Sequence, residues 1–157
     1  MTERFLLRRL GLLAISKKFA EEMVAHAKGE DPNECCGILA GKDGTIHRLY
    51  RITNTTLSPY RYLMDPQEFL NADLDSERNG WEFVAFYHSH THSPAYPSMT
   101  DVRMALQSGY FDVYYTYTII AERREQLRQA FRMRHDRYIR PGTDENVMMT
   151  GGRSCRK

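Results

Sequence analysis

The spacing of hydrophobic positions changes along the chain, and each change marks a candidate element. After Ser16, KKFAEEMVAHAK puts Phe19, Met23, Val24 and Ala27 on one face at helical spacing, which predicts a helix over residues 16–28 capped by Ser16. CCGILAG is short, apolar and ends in Gly41, the pattern of a buried strand. After a Lys-Asp-Gly turn, TIHRLYRITN alternates as a second strand, so the two form a hairpin. Asp65-Pro66 opens another helix, with Asp as N-cap and Pro at the first helical position, and Asn79-Gly80 closes it. EFVAFYH is almost continuously apolar and aromatic, as a central strand covered on both faces is. THSPAYPS, with two prolines, is a loop, and Ser98 or Thr100 then opens a third helix, DVRMALQSG. YFDVYYTYTIIA and QLRQAFRMRH read as two more strands around an Arg/Glu turn.

The resulting order is β-α-β-β-α-β-α-β-β. Helices and strands share one core, which predicts a mixed α+β domain of the α/β type, a single mixed sheet flanked by helices. No repeat or linker divides residues 1–140. From Pro141 the chain shows no period, and residues 141–157 are expected to be a disordered tail.

Composition adds exclusions. At 157 residues, with 41% hydrophobic and 27% charged side chains, the chain is neither a disordered polymer, a collagen-like fibre nor a coiled coil. No run reaches the roughly 18 apolar residues that a membrane span needs. The opening MTERFLLRRLGLLAIS faintly resembles a signal peptide, but Glu3 dilutes its positive start and Arg8 and Arg9 break its apolar run. Three cysteines, with Cys35 and Cys36 adjacent, make a poor disulfide framework and suit a reducing cytoplasm. A net charge of +2 is too small to imply nucleic acid as a partner. The basic excess lies in ERREQLRQAFRMRHDRYIR, which is either a solvated hairpin protecting a sheet edge or a strip facing an acidic protein.

The chemistry concentrates in YHSHTHSPAYPSMTD. His88 and His90 are two apart at the end of the predicted central strand, so strand alternation turns both imidazoles to the same side. Asp101, eleven residues after His90 in the first turn of the next helix, can fold back as a third ligand. Two neutral imidazoles and one carboxylate leave a zinc ion net positive with an open fourth position, the pattern of a catalytic site.

With Glu34 upstream in NECCGILAG and Ser98 three residues before Asp101, the pattern resembles the JAMM (MPN+) signature of zinc metallopeptidases, over roughly residues 12–135. The chain is most similar to the short prokaryotic members, among them Mec-type hydrolases that release cysteine from the C-terminus of a ubiquitin-like sulfur-carrier protein. Thr91, where many relatives have Pro, fits that branch. The resemblance implies the MPN/JAB (cytidine-deaminase-like) fold, Zn2+ held by His88, His90 and Asp101, Glu34 as general base and Ser98 as an oxyanion donor. It further implies cleavage of the amide or isopeptide bond at the C-terminal Gly-Gly of a carrier.

Other readings of the same residues stand beside these. Ser98 and Asp101 match a helix-capping pair, and Glu34 is also an ordinary charged residue before a strand. His92 extends the histidine series and competes as a ligand, although the following Ser-Pro suggests that the strand has ended; a loop or substrate contact is the expectation. His26, His47 and His135 are expected to be structural or solvated. Cys35 and Cys36 point to opposite faces of a strand and read as buried small hydrophobes. A RadC-like DNA-associated protein and a metal-free interaction scaffold are rival functions. The loop lacks the His-Asn-His-Pro-Ser-Gly of the first, and the complete Glu, His, His, Ser and Asp set argues against the second.

Overall fold

A computed structural model describes residues 14–93, 97–110, 114–119, 126–134, 137–139 and 148–150. The elements, in chain order, are β1 (Ala14–Ser16), α1 (Lys17–Glu30), β2 (Cys36–Lys42), β3 (Thr45–Ile52), α2 (Pro66–Arg78) and β4 (Glu82–His90). They continue with α3 (Met99–Gln107), β5 (Tyr114–Ile119), β6 (Gln126–Arg134), β7 (Arg137–Ile139) and β8 (Met148–Thr150).

Local chemistry accounts for the boundaries. Ser16 caps α1 by accepting from the Phe19 amide, and the helix stops one residue before Pro32, where the ring disfavours helical backbone at Asp31. Asp43 and Gly44 both take positive φ (52° and 77°), which gives the hairpin turn the twist its flanking strands need. At α2, one Asp65 carboxylate oxygen accepts from the Gln67 and Glu68 amides at 3.0 and 2.9 Å, while Pro66 fills the first turn.

Six strands form one sheet in the order β3-β2-β4-β5-β6-β7. Only the β4–β5 pair is parallel, and α3 lies in the connection between those two strands. The expected mixed sheet flanked by helices is therefore present. Within residues 141–157, Met148–Thr150 pairs in parallel with β1, and a three-residue ladder needs no hydrophobic period to announce it. Residues 141–147 and 151–157, the Arg/Glu turn of the basic strip and residues 1–13 lie outside the described residues. Among the described residues no helix is long and apolar enough to cross a membrane.

The sheet has a core on each face. Cys35, Leu39, Ala85 and Tyr87 pack with Met23 and Ala27 of α1. Cys36, Ile38 and Phe86 pack on the other face with Ala72 of α2 and Ala105 of α3. Cys35 and Cys36 are thus divided between faces, as alternation requires. A register shift opposite Leu39 and Ala40 leaves one extra residue in β4, so Phe83 and Phe86 share a face with ring centroids 5.9 Å apart. Downstream of this bulge, Phe86, His88 and His90 fall on the α2/α3 side, and Tyr87 and Ser89 on the α1 side.

Tyr87 is fully buried, and its hydroxyl meets His26 Nδ1 at 2.8 Å. Burial, helped by the charge of Arg51, lowers the His26 pKa to about 4. The unfolded chain takes up that proton near pH 6.5, so this contribution to stability is complete above that pH. It is lost as pH falls toward about 4. Urea titrations from pH 7 to pH 4 should show the loss, and His26→Gln should flatten it.

The Tyr87 ring lies over Gly37 so closely that a Cβ there would collide with it. Gly37→Ala should therefore cost roughly 1–3 kcal/mol through forced repacking, read as a lowered urea midpoint with unchanged slope.

Candidate metal centre

The central strand and the start of α3 bring three polar side chains together. His88 Nε2 lies 3.0 Å from His90 Nε2, His88 Nε2 lies 3.3 Å from Asp101 Oδ1, and His90 Nε2 lies 3.2 Å from Asp101 Oδ2. His88 and His90 are 2% and 3% exposed and Asp101 11%, so the cluster is screened from bulk water. A tetrahedral zinc with bonds of about 2.0–2.1 Å holds its ligand atoms ~3.3–3.4 Å apart, close to the edges of this triangle. The three residues can hold a metal ion. Two imidazoles and a carboxylate converging in a dry site form a donor set that suits a dication.

Each group is fixed by a second contact. Ser93 Oγ meets His90 Nδ1 at 3.0 Å, which leaves Nε2 as the inward-facing nitrogen. The Tyr62 ring packs on His88 with centroids 4.5 Å apart. Ser98 caps α3: its hydroxyl accepts from the Asp101 amide at 3.1 Å, and Asp101 Oδ2 accepts from the Ser98 amide at 2.7 Å. The capping box is real and also aims Asp101 at the histidines. The Ser98 hydroxyl retains its own proton for donation.

Burial depresses the His88 pKa against the pull of Asp101, which keeps the imidazole neutral as a metal ligand must be. Burial also works to raise the Asp101 carboxyl. The hydrogen bonds from His88 and His90, with that from Ser98, outweigh it and hold the group well below the usual carboxylate range.

Glu34 sits just before β2 and is 5% exposed. Burial pushes its carboxyl up to about 7; the charge of His90 opposes the rise and that of Asp101 adds to it. Its amide donates to the Ser58 carbonyl at 2.9 Å. The next residue is bound to the middle of His-Ser-His: the Cys35 amide donates to Ser89 Oγ at 2.8 Å, and the Ser89 amide donates to the Cys35 carbonyl at 3.1 Å. Ser89 thus ties the Glu34 segment to the strand carrying both histidines, a role the sequence reading missed because spacing marks only the histidines.

The competing residues lie elsewhere. His92 is exposed, 2.7 Å from Thr91 Oγ1 and tilted against the Tyr60 ring, outside the cluster. His47 stacks on Trp81. Burial raises the Cys35 thiol to about 11 and pushes Cys36 higher still, so neither is a ready nucleophile.

Known proteins resemble this chain in sequence and in fold. A CysO-cysteine peptidase from Mycobacterium tuberculosis is 40% identical over 98 residues, 61% of this chain and 67% of its own length. A desampylase from Haloferax volcanii is 32% identical over 105 residues, 62% of this chain and 76% of its own length. A solution structure from Desulfitobacterium hafniense is 34% identical with a TM-score of 0.71, covering 87% of this chain and 91% of that one. The fold also matches a JAB1/MPN domain protein from Archaeoglobus fulgidus at 15% identity and a TM-score of 0.52, over 88% of this chain and 95% of that one. The profile of the prokaryotic homologs of the JAB domain matches residues 16–134, the span holding the whole cluster, and the chain belongs to that family.

Proposed function

We propose that the chain is a zinc-dependent peptidase that hydrolyses the amide or isopeptide bond after the C-terminal Gly-Gly of a ubiquitin-like sulfur-carrier protein. The observation that carries this reading is the convergence of His88, His90 and Asp101 beside a buried carboxyl whose pKa is raised to about 7. The family's relatives supply the substrate class, being named as a CysO-cysteine peptidase and a desampylase. The free, buried Cys35 and Cys36 suit a reducing cytoplasm.

His88, His90 and Asp101 would hold the ion with one compensating negative charge. Zinc supplies Lewis acidity there, bringing the pKa of a water from 15.7 to roughly 7. Glu34, a buried carboxyl near the cluster, would accept the proton of the attacking water and return it to the leaving amine. The Ser98 hydroxyl donates to the oxyanion while its oxygen keeps the helix capped. A Gly-Gly end suits a site at the tip of a central strand, because glycine has no side chain to obstruct close approach.

His88→Ala, His90→Ala and Asp101→Ala should each abolish stoichiometric zinc in elemental analysis, whereas His92→Ala should keep it. Zinc retained in Asp101→Ala would overturn this ligand set.

Glu34→Gln should keep zinc and lose at least ~100-fold in turnover. Ser98→Ala should lose on the order of 10²-fold, with about 1 kcal/mol of stability from the missing cap. Unchanged turnover with only a lowered Tm would leave Ser98 a cap alone.

The substrate is tested by kcat/KM on a carrier–cysteine adduct, a lysine-isopeptide-linked carrier and an unrelated peptide with the same C-terminal residues. The carrier adducts should be strongly preferred. Equal rates on all three would mean a general peptidase that recognises no carrier.

A further inference from the structure

Asn54, at the end of the β3 segment, is outside the ligand set and 3% exposed. Its side-chain amide is fully used. Nδ2 donates to the Glu34 carbonyl at 2.9 Å and to the Arg61 carbonyl at 3.2 Å. Oδ1 accepts from the Thr56 amide at 3.1 Å, the Thr56 hydroxyl at 2.6 Å and the Leu63 amide at 3.0 Å. An amide has two donors and one oxygen, so no polar capacity is left over.

These contacts join the backbone of Glu34 to both ends of the loop 54–64. The loop grips Glu34 a second time through the Ser58 carbonyl, which accepts the Glu34 amide at 2.9 Å. Elsewhere it reaches the metal cluster: Tyr62 packs on His88, and the Pro59 carbonyl accepts from Thr91 Oγ1 at 2.8 Å. Leu57, a non-glycine residue, is held at a φ of 48°, a conformation that persists only where surrounding contacts impose it. Among the described residues, Asn54 is the side chain shared by the loop closure and the Glu34 backbone.

We propose that Asn54 is a positioning residue, which fixes the Glu34 backbone relative to the metal centre through the loop 54–64. This rests on the reading of Glu34 as the general base. A fully satisfied buried amide is rigid, and a base displaced by about 1 Å can lose 10²-fold in rate. Asn54 has no contact with the three ligands among those described, so its loss should leave the metal in place.

The test uses the zinc-loaded full chain. In Asn54→Ala the amides of Glu34 and Leu63 should exchange with solvent at least ~10-fold faster, while the Cys35 and Ser89 amides, held by each other's residues, stay protected. Zinc content should be unchanged. On a carrier–cysteine adduct kcat should fall roughly 10- to 100-fold, and the same substitution in a Glu34→Gln background should change it by less than about 2-fold. If Asn54→Ala does not fold, Asn54→Asp keeps the shape and the acceptor oxygens, removes both donors and is read in the same way. Unchanged exchange at Glu34, unchanged kcat, or an equal loss in both backgrounds would overturn the proposal. If the wild-type chain cleaved no adduct, the functional reading would fall, and exchange at Glu34 would still decide whether Asn54 holds it.

Discussion

The period of two along β4 is the constraint on which the remainder of the site depends. Every second side chain of a strand shares a face, so His88 and His90 point together toward α3 and Asp101. Ser89, between them, points the other way and binds Cys35. On the proposed reading, one strand therefore carries two ligands on one face and anchors the segment of the base from the other. A shift of one residue in register would exchange these roles and bury the imidazoles against α1. Several features guard against such a slip: the neighbours β2 and β5 on either side, the bulge upstream, and Tyr87 locked over Gly37.

Electrostatics follow from that placement. Two imidazoles and a carboxylate converging in a dry site make a donor set that favours a cation. The same dryness acts on Glu34 in the opposite sense to its effect on Asp101. Asp101 accepts from both histidines and from the Ser98 amide and stays ionised, whereas burial dominates at Glu34 and pushes its carboxyl up. On the proposed reading, the two carboxyls of one cleft are thereby separated into a ligand and a proton carrier.

Helix capping and the orientation of Asp101 share atoms at α3. Ser98 and Asp101 satisfy the exposed amides at the helix start, and that reciprocal pair orients the carboxylate toward β4. The structural and chemical readings of Ser98 are thus compatible: the oxygen accepts within the cap and the proton remains for a substrate oxygen. Elsewhere, a buried amide, Asn54, carries out a comparable double task for the loop 54–64.

The chain's periodicities and punctuation already carry the three helices, the hairpin of β2 and β3, the central β4 and two following strands, because local signals determine them: Ser16, Asp65 and Ser98 as caps, Asp43-Gly44 as a turn, and an apolar run for a buried strand. The histidine pair and Asp101 were legible for the same reason, as alternation and helix-start chemistry act over a few residues. Short β7 and β8 carried no such signal, since three residues are too few to show a period. The contacts that join Glu34 to β4 and to the loop 54–64 bridge 54 and 20 positions of sequence through Ser89 and Asn54. Neither residue has a distinguishing neighbour pattern. Their partners are backbone groups, which every residue possesses, so only the folded arrangement selects which carbonyl and which amide they meet.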